Sequence, residues 1–280
     1  MIQIKELGFT YGRPDVSGNY VLKNISMNLE EGRIYGLLGE NGVGKTTLLT
    51  LLCGLKRPHT GSIDIEGHEP FRRDPSFLSD QYYLSDEVAQ FNMKAIDYAV
   101  NYGKFWERFD INKFNEIMQA LENDPRQNMM KMSFGQLKKT YIAFALACNS
   151  RYLFMDEPTN GLDIPSKAQF RKAMMKYTRE DAVILISTHQ VRDLENIIDP
   201  IIILDKQDVL MNASIEKISE RLYFDYSNER RDGALYSEMT PGGSIQVFRN
   251  TDGEESKVNL EAIFNTVHAH KDLIKDIFKK

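Results

Sequence analysis

Short segments in which apolar and polar residues alternate characterise the amino-terminal part of the chain. Alternation of this kind predicts half-buried strands, here over 1–7, 21–29 and 62–67. A loop containing Gly, Pro, Asp and Ser separates the first two strands and extends to Asn19. We therefore predict an antiparallel β subdomain at the amino terminus, which leads into the strand expected over 33–38.

Residues 77–147 show a different spacing, with apolar residues three and four positions apart. Ala95, Ile96, Ala99 and Val100 follow this spacing, as do later apolar residues up to Leu121. An apolar stripe with this period predicts amphipathic helices. We therefore predict a mostly helical subdomain inserted at about 77–147, in which the aromatic residues near Trp106 serve packing.

From Arg151 to Asp205, apolar runs typical of buried strands alternate with helical segments. Strands are predicted over 151–155, 182–186 and 201–204, and helices over 165–177 and 191–198. Strands that alternate with helices indicate an α/β fold with a mainly parallel sheet.

The pattern changes again after Asp205. A polar segment at 228–243 contains Gly and Pro, a short strand is expected over 244–248, and apolar residues at helical spacing predict one helix over 259–278. We divide the chain into a domain at 1–205 and a small α+β carboxy-terminal extension at 206–280. The sequence assigns no role to this extension.

The strand predicted over 33–38 and the helix that follows it enclose a glycine-rich loop. The loop reads Gly, four residues, then Gly-Lys-Thr, which is the phosphate-binding loop (P-loop) pattern. Backbone N–H groups and a helix N-terminus bind phosphate in such a loop, Lys45 would reach the terminal phosphates, and the Thr46 hydroxyl would bind Mg²⁺. The candidate residues are Gly39, Glu40, Asn41, Gly42, Val43, Gly44, Lys45, Thr46 and Thr47.

A second apolar strand ends in two adjacent carboxylates, Asp156 and Glu157. Asp156 would hold Mg²⁺ directly or through water, and Glu157 would act as the general base for an attacking water. His189 follows the next buried strand and could contact the γ-phosphate and that water. The pair of acids is a weak motif alone, but it gains weight from the phosphate-binding loop that precedes it.

Composition limits the class of protein. The net charge of −5 argues against a nucleic-acid partner, for which a basic face is expected. Cys53 and Cys148 lie in apolar helical stretches, which predicts buried, reduced thiols and a reducing cytosol. The longest apolar run, 141–148, is too short to span a membrane, and the N-terminus lacks the features of a signal peptide. A membrane role would therefore need a separate chain.

Taken together, these motifs resemble those of the nucleotide-binding subunits of ATP-binding cassette (ABC) transporters, over about 1–205. The loop at 39–47 resembles the Walker A motif, 154–159 resembles the Walker B strand, and 160–163 resembles the D-loop. His189 is similar to the switch histidine, and Tyr11 to the aromatic residue that stacks on adenine. The resemblance implies a P-loop NTPase core and an ATPase that uses ATP and Mg²⁺.

The signature sequence of that family, Leu-Ser-Gly-Gly-Gln, is altered here. It appears as Met132-Ser133-Phe134-Gly135-Gln136. The resemblance implies that Ser133, Gly135 and Gln136 bind ATP held by the opposite subunit of a dimer. Phe134 adds bulk where the family has glycine, and we expect it to pack against the helical subdomain or the partner subunit rather than to crowd the γ-phosphate.

The family also places Gln or Glu, the Q-loop residue, where the sheet meets the helical subdomain. The segment here reads Phe77-Leu78-Ser79-Asp80-Gln81. The preceding aromatic-Leu pair favours Asp80, whereas residue type favours Gln81. Both remain candidates for binding the cofactor.

The resemblance implies an exporter-type subunit that forms a dimer with a second ABC ATPase subunit, expected to be the same chain. This dimer would drive an integral membrane permease encoded separately, from the cytoplasmic face of the membrane. One rival is a soluble cassette protein that acts on ribosomes, DNA or another cytosolic machine; the single cassette argues against the ribosome, and the lack of sustained heptads argues against DNA. A low-turnover nucleotide sensor is a second rival, which Glu157 and His189 oppose and Phe134 favours.

Overall fold

A computed structural model describes residues 1–12, 20–227, 229 and 231–278. Most of the loop predicted up to Asn19 therefore lies outside the described residues, as do two positions of the predicted polar segment, 228 and 230. In the part of the chain that is described, no helix is long and apolar enough to cross a membrane.

Strands occur along the whole described chain. They are β1 (Ile2–Phe9), β2 (Leu22–Leu29), β3 (Arg33–Leu38), β4 (Thr60–Ile65), β5 (Gln81–Leu84), β6 (Tyr152–Asp156), β7 (Val183–Thr188), β8 (Ile201–Asp205), β9 (Asp208–Ala213), β10 (Leu222–Ser227), β11 (Tyr236–Thr240) and β12 (Gly243–Arg249).

The α-helices lie between and after these strands. They are α1 (Lys45–Leu52), α2 (Pro75–Leu78), α3 (Ala95–Gly103), α4 (Ile111–Ala120), α5 (Phe134–Ala147), α6 (Ile164–Tyr177), α7 (Ile215–Arg221), α8 (Leu260–Ala269) and α9 (Lys271–Phe278). Short 3₁₀ turns cover Pro70–Arg72, Met129–Lys131 and Val191–Leu194. The helix predicted over 191–198 is thus limited to a 3₁₀ turn.

The central sheet has the strand order β5-β6-β7-β3-β8-β9. The strands from β5 to β8 are parallel, and β9 is antiparallel to β8. The mainly parallel α/β sheet predicted from the sequence is confirmed. Because the carboxyl ends of parallel strands meet at one edge, the segments after β3, β6 and β7 lie side by side: Asp156 pairs with Ser187, and Leu38 pairs with Thr188.

The amino-terminal strands form a separate antiparallel sheet in the order β2-β1-β4. Ile4 pairs with Met27 on one side and with Ile63 on the other. The predicted antiparallel β subdomain is confirmed.

The central sheet separates two apolar cores. Val183 and Leu185 of β7 face a core shared with α1 and the amino-terminal sheet. Ile184 and Ile186 face the other core, which contains residues of α5 and α6. This division follows from the alternation of side chains along a strand, and it explains why β7 is an uninterrupted apolar run in the sequence.

Helices α3, α4 and α5 form the helical subdomain around the buried ring of Phe144. Tyr98 lies 5.1 Å, Phe109 5.3 Å and Trp106 5.5 Å from this ring between centroids, so Trp106 serves packing as predicted. The neighbouring Phe105 is 62% exposed, and the prediction fails for that residue. Strand β5 lies in the range predicted to be helical, but it belongs to the central sheet. The expected start of the subdomain near Phe77 is therefore too early.

The carboxy-terminal extension is joined to the domain at 1–205. Strand β9 belongs to the central sheet beyond the predicted boundary at Asp205, and residues of β10, β12, α8 and α9 share the core of α5 and α6. The single helix predicted over 259–278 is two helices, which meet at His270. Lys271 and Lys275 of α9 form ion pairs with Asp205 and Asp208, and these pairs fix α9 against the sheet.

Candidate functional site

The phosphate-binding loop runs from the end of β3 to the start of α1. Gly42 and Gly44 adopt left-handed backbone conformations, with φ of 83° and 110°. Glycine adopts these conformations without the steric cost that a Cβ would impose. The loop thereby turns directly into α1, whose N-terminal N–H groups are available to an anion.

Lys45 occupies the centre of this loop and is 6% exposed. Its Nζ donates to the carbonyls of Gly39 at 2.7 Å and Glu40 at 3.1 Å, and it lies 3.8 Å from Glu157 Oε1. Burial lowers the pKa of Lys45, while the nearby carboxylates of Glu157 and Asp156 oppose this shift. The loop thus holds an ammonium group at the position where the terminal phosphates of a nucleotide would lie.

Thr46 and Asp156 lie in contact across the end of the sheet. The Thr46 hydroxyl donates to Asp156 Oδ2 at 2.7 Å, and Asp156 is 3% exposed. The Ser187 hydroxyl donates to the other carboxylate oxygen at 2.5 Å, and the Tyr83 hydroxyl lies 3.5 Å from Oδ2. Hydroxyl and carboxylate oxygens are hard ligands of the kind that Mg²⁺ prefers. The donors present therefore fit a magnesium ion.

Glu157 and His189 form a second pair beside the first. His189 Nδ1 lies 2.9 Å from Glu157 Oε1, and the Glu157 side chain is 12% exposed. The backbone of Glu157 is left-handed, with φ of 45°, and its N–H donates to the carbonyl of Ser187 at 3.2 Å. A non-glycine residue held in this region is strained, and such strain concentrates at functional sites. The turn directs Glu157 away from Asp156, toward His189.

Tyr11 stands at the mouth of the site. Its ring is 65% exposed, its hydroxyl lies 3.0 Å from the Thr47 hydroxyl, and Lys56 Nζ lies 4.8 Å from the ring centroid. One face of an exposed aromatic ring beside a phosphate-binding loop can stack on a nucleotide base.

Most of these residues surround a cavity of about 610 Å³, whereas His189 is not among the described residues that line it. Gly39 and Glu40 contribute carbonyls to Lys45 at its base, and Val43 packs into the core of the amino-terminal sheet. The residues predicted from the sequence that line the cavity are Tyr11, Asn41, Gly42, Gly44, Lys45, Thr46, Thr47, Asp156 and Glu157.

Asp80 and Gln81 lie at the other end of the sheet, so the expectation for the Q-loop is wrong. Gln81 pairs with Tyr152 at the amino end of β6, whereas the cavity lies beyond the carboxyl end of β6. Asp80 instead accepts a hydrogen bond from Arg108 at 2.6 Å. The side-chain oxygen of Gln81 is buried and has no hydrogen-bond partner among the described residues.

Ser85-Asp86-Glu87, at the carboxyl end of β5, does reach the cavity, although none of these residues was predicted from the sequence. A usable signal was present. An aromatic-Leu-Ser-Asp sequence occurs at Phe77–Asp80 and again at Tyr83–Asp86. The second copy was overlooked because β5 is only four residues long and lies in a range predicted to be helical.

The signature residues are not brought to this cavity. Ser133 caps α5, where its hydroxyl accepts a hydrogen bond from Gln136 N at 3.2 Å, and the Gln136 side chain accepts one from Ser133 N at 3.0 Å. This reciprocal pair is a capping box. A Cβ at Gly161 would lie 2.3 Å from the Phe134 ring, and one at Gly135 would lie 3.2 Å from the Gly161 carbonyl. Phe134 therefore packs on the turn that follows β6, rather than on the helical subdomain as one of our two expectations had it.

Comparison with known proteins identifies the family to which this chain is related. The chain matches the family described as ABC transporter over residues 22–160. It is 30% identical over 203 residues to the lantibiotic transport ATP-binding protein SrtF of Streptococcus pyogenes, an alignment that covers 71% of this chain and 84% of that protein. It is 27% identical over 279 residues to the bacitracin transport ATP-binding protein BcrA of Bacillus licheniformis, with 92% and 90% covered.

The fold is also found among solved structures. A dimeric bacterial ABC transporter cassette, MJ0796, superposes with a TM-score of 0.68 at 22% sequence identity, over 76% of this chain and 98% of that chain. The phosphate-binding loop, the two adjacent carboxylates at the end of β6 and the sequence relatives all indicate the same family. The chain belongs to the ABC transporter family, as one of its ATP-binding subunits.

Proposed function

We propose that this subunit binds ATP with Mg²⁺, hydrolyses it, and drives a separate membrane permease. The observation that supports this proposal most is the convergence of Lys45, Thr46, Asp156 and Glu157 on one cavity beside the phosphate-binding loop. Each of these groups has a distinct task in phosphoryl transfer, which depends mainly on positioning and on stabilisation of charge.

Binding of the nucleotide follows from the loop and α1. Backbone N–H groups and the Lys45 ammonium meet the phosphates, and Tyr11 stacks on the adenine. Thr46 and Asp156 are the residues that would hold magnesium, because their oxygens already lie 2.7 Å apart. When bound, Mg²⁺ neutralises negative charge on the phosphate oxygens.

Hydrolysis requires a base near the γ-phosphate, and Glu157 takes this role in the proposal. Its carboxylate accepts a proton from the attacking water while His189, 2.9 Å away, holds the carboxylate in place. The bonds from the Glu157 N–H to Ser187 fix the turn on which the base stands. The products are ADP and phosphate.

Two subunits are needed for a complete site in this proposal. Ser133 and Gly135 lie outside the cavity of their own chain and at the start of α5, where N–H groups can bind an anion. They would close over the ATP bound to a second copy of the chain. The Gln136 side chain stabilises the start of α5 through the capping box.

The direction of transport is proposed to be export. Two of the relatives are ATP-binding proteins of lantibiotic and bacitracin transport. The subunit would work from the cytoplasmic face of the membrane, with the helical subdomain as the surface that contacts the permease. With a net charge of −5, a nucleic acid is not the expected partner.

The proposal is tested with Glu157→Gln, which removes the base and keeps the shape of the side chain. We expect ATP binding to be retained, steady-state hydrolysis to fall by at least about 100-fold, and an ATP-bound dimer to accumulate. The exposed Glu220→Gln on α7 is the matched control and should behave like the parent. Hydrolysis of Glu157→Gln at the parent rate would refute the role of this residue.

A second variant tests the dimer. Ser133→Arg places bulk and charge at the start of α5, where the second copy would bind, and should prevent ATP-dependent dimerisation in sedimentation experiments. A dimer that forms normally in this variant would contradict the placement of Ser133 at the interface. Parent chain that hydrolyses ATP rapidly, unchanged by membranes or a permease, would contradict the transport coupling.

A further inference from the structure

Lys138 is a buried cation for which the proposed mechanism has no task. It lies on α5 and its side chain is fully buried. Its Nζ donates to the carbonyl of Asp86 at 2.9 Å and lies 3.3 Å from the Asp86 carboxylate and 3.4 Å from the Ser85 carbonyl. Burial lowers the pKa of Lys138, and Asp86 is the main group that opposes this shift.

Asp86 is the partner that links Lys138 to the cavity. It lines the cavity together with Asp156 and Glu157, and its carboxylate accepts hydrogen bonds from Asn160 Nδ2 at 3.1 Å and 3.4 Å. Asn160 lies in the turn of Glu157, since its N–H donates to the Glu157 carbonyl at 3.1 Å. A continuous set of contacts therefore joins α5, the end of β5 and the turn that holds the proposed base.

The same helix begins at the signature residues. Lys138 is five residues from Ser133, a rise of about 7.5 Å along α5. The start of α5 is fixed by the capping box, and Phe134 packs on Gly161, the residue after Asn160. A shift of Asp86 toward a ligand in the cavity would therefore act on α5 through Lys138 and on the turn through Asn160.

We propose that Lys138 is a positioning residue that couples the nucleotide cavity to the signature end of α5. Through its bonds to Asp86, it sets the position of α5 according to what the cavity holds, and so prepares Ser133 and Gly135 to bind a second subunit. This inference rests on the proposed function. It assigns to Lys138 an effect on dimerisation and turnover but not on the first binding of nucleotide.

The test compares Lys138→Met, which keeps most of the side-chain volume without the charge, with the matched control Lys139→Met. Lys139 is the next residue on α5 and donates to Gln169 rather than to Asp86. Binding of a fluorescent ATP analogue, kcat and KM for ATP, and thermal unfolding are measured for each. ATP-dependent dimerisation is measured by sedimentation with Glu157→Gln added.

We expect Lys138→Met to lower kcat by about tenfold or more, and to raise the ATP concentration for half-maximal dimerisation to a similar degree. Affinity of the monomer for the analogue should change by less than about threefold, and Lys139→Met should stay within about twofold of the parent in every assay. Asp86→Asn should weaken dimerisation as well, and adding it to Lys138→Met should cause little further loss, because both changes remove the ion pair between the two side chains.

Several results would overturn the inference. The inference is overturned if Lys138→Met keeps kcat and ATP-dependent dimerisation within about twofold of the parent values. Nucleotide affinity and kcat that fall together with the melting temperature would show a purely structural lysine. If Lys138→Met does not fold, Lys138→Leu, a smaller apolar replacement that also lacks a donor for Asp86, is measured against the same criteria. Parent chain without ATP hydrolysis or ATP-dependent dimerisation would refute the proposed function itself.

Discussion

Both edges of the central sheet are rich in charged side chains, but these charges are arranged differently. At the amino edge, charged side chains that precede the strands form ion pairs with one another. Arg108 and Arg179 contact Asp80, and Arg179 also pairs with Asp181 at 2.6 Å. At the carboxyl edge, Lys45 and Asp156 are buried and face a cavity.

The difference has a physical cause. At the carboxyl edge the loop after β3 leads into the N-terminus of α1, which favours an anion. Lys45 and Asp156 are held there mainly by hydrogen bonds to carbonyls and hydroxyls, such as those of Gly39 and Ser187, and so keep capacity for a ligand. At the amino edge, charges satisfy one another, and their expected contribution is to stability. The following predictions test this division of roles.

The largest expected effect is that of Lys45→Ala at the carboxyl edge. Loss of the ammonium should weaken ATP binding by at least about 100-fold, which corresponds to about 2.7 kcal/mol. Titration with a fluorescent ATP analogue measures this effect, and exposed Lys172→Ala on α6 serves as the control. Unchanged affinity would mean that this edge does not bind the phosphates.

Ser187→Ala should have the next largest effect. The Ser187 hydroxyl donates to Asp156 and accepts from the Glu157 N–H, so its removal loosens both carboxylates. We expect kcat to fall by about tenfold, or about 1.4 kcal/mol in the barrier, with nucleotide affinity nearly unchanged. Steady-state kinetics measure this, with Ser219→Ala on α7 as the control. Parent-like kcat would show that Asp156 and Glu157 hold their positions without this hydroxyl.

Asp80→Asn tests the amino edge. Loss of the charge opposite Arg108 and Arg179 should lower the free energy of unfolding by about 1–2 kcal/mol. Asparagine can still accept the bond from Arg151 N, so the backbone should stay in place. Urea unfolding measures the loss, and kcat of the folded protein should remain within about twofold of the parent. A fall in kcat without loss of stability would show that Asp80 contributes to the nucleotide site.

Phe134→Gly sharpens the comparison, because Phe134 lies near the carboxyl edge but packs on Gly161. The ring is 48% exposed, so its loss removes limited packing. We expect the hydrolysis rate to change by less than about tenfold, or less than about 1.4 kcal/mol in the barrier. ATPase assays beside Phe134→Leu measure this. A large gain in activity would instead identify Phe134 as a residue that attenuates the site.

The smallest effect is expected for Asp181→Asn, and it should depend on pH. The hydrogen bond from Arg179 lowers the pKa of Asp181 in the folded state. A lowered pKa stabilises the fold above the unfolded pKa of about 3.9, and this stabilisation is lost as pH falls through the folded value. The melting temperature of the parent should therefore lie slightly above that of Asp181→Asn at pH 7, and this difference should disappear below about pH 4. A difference in melting temperature that persists at lower pH would contradict the contribution of the ion pair between Arg179 and Asp181.

Local pattern was sufficient for most elements of the cassette. The glycine-rich loop, the apolar strand that ends in Asp156 and the helical spacing after Ala95 each depend on residues close together in sequence, and the structure has the elements they predict. Periodicity did not separate α8 from α9, because apolar residues continue at helical spacing across His270. It also missed β5, which is too short to show a period.

The sequence by itself determined the family, the phosphate-binding loop and most strands and helices of residues 1–205, because each is written in contiguous residues. The tertiary structure decided which of two similar segments reaches the cavity. Leu78-Ser79-Asp80 and Leu84-Ser85-Asp86 stand at opposite ends of β5. The direction of β5 beside β6 places Asp80 among arginines and Asp86 against Lys138 and the cavity. Pairing of strands distant in sequence sets that direction, and no local pattern contains it.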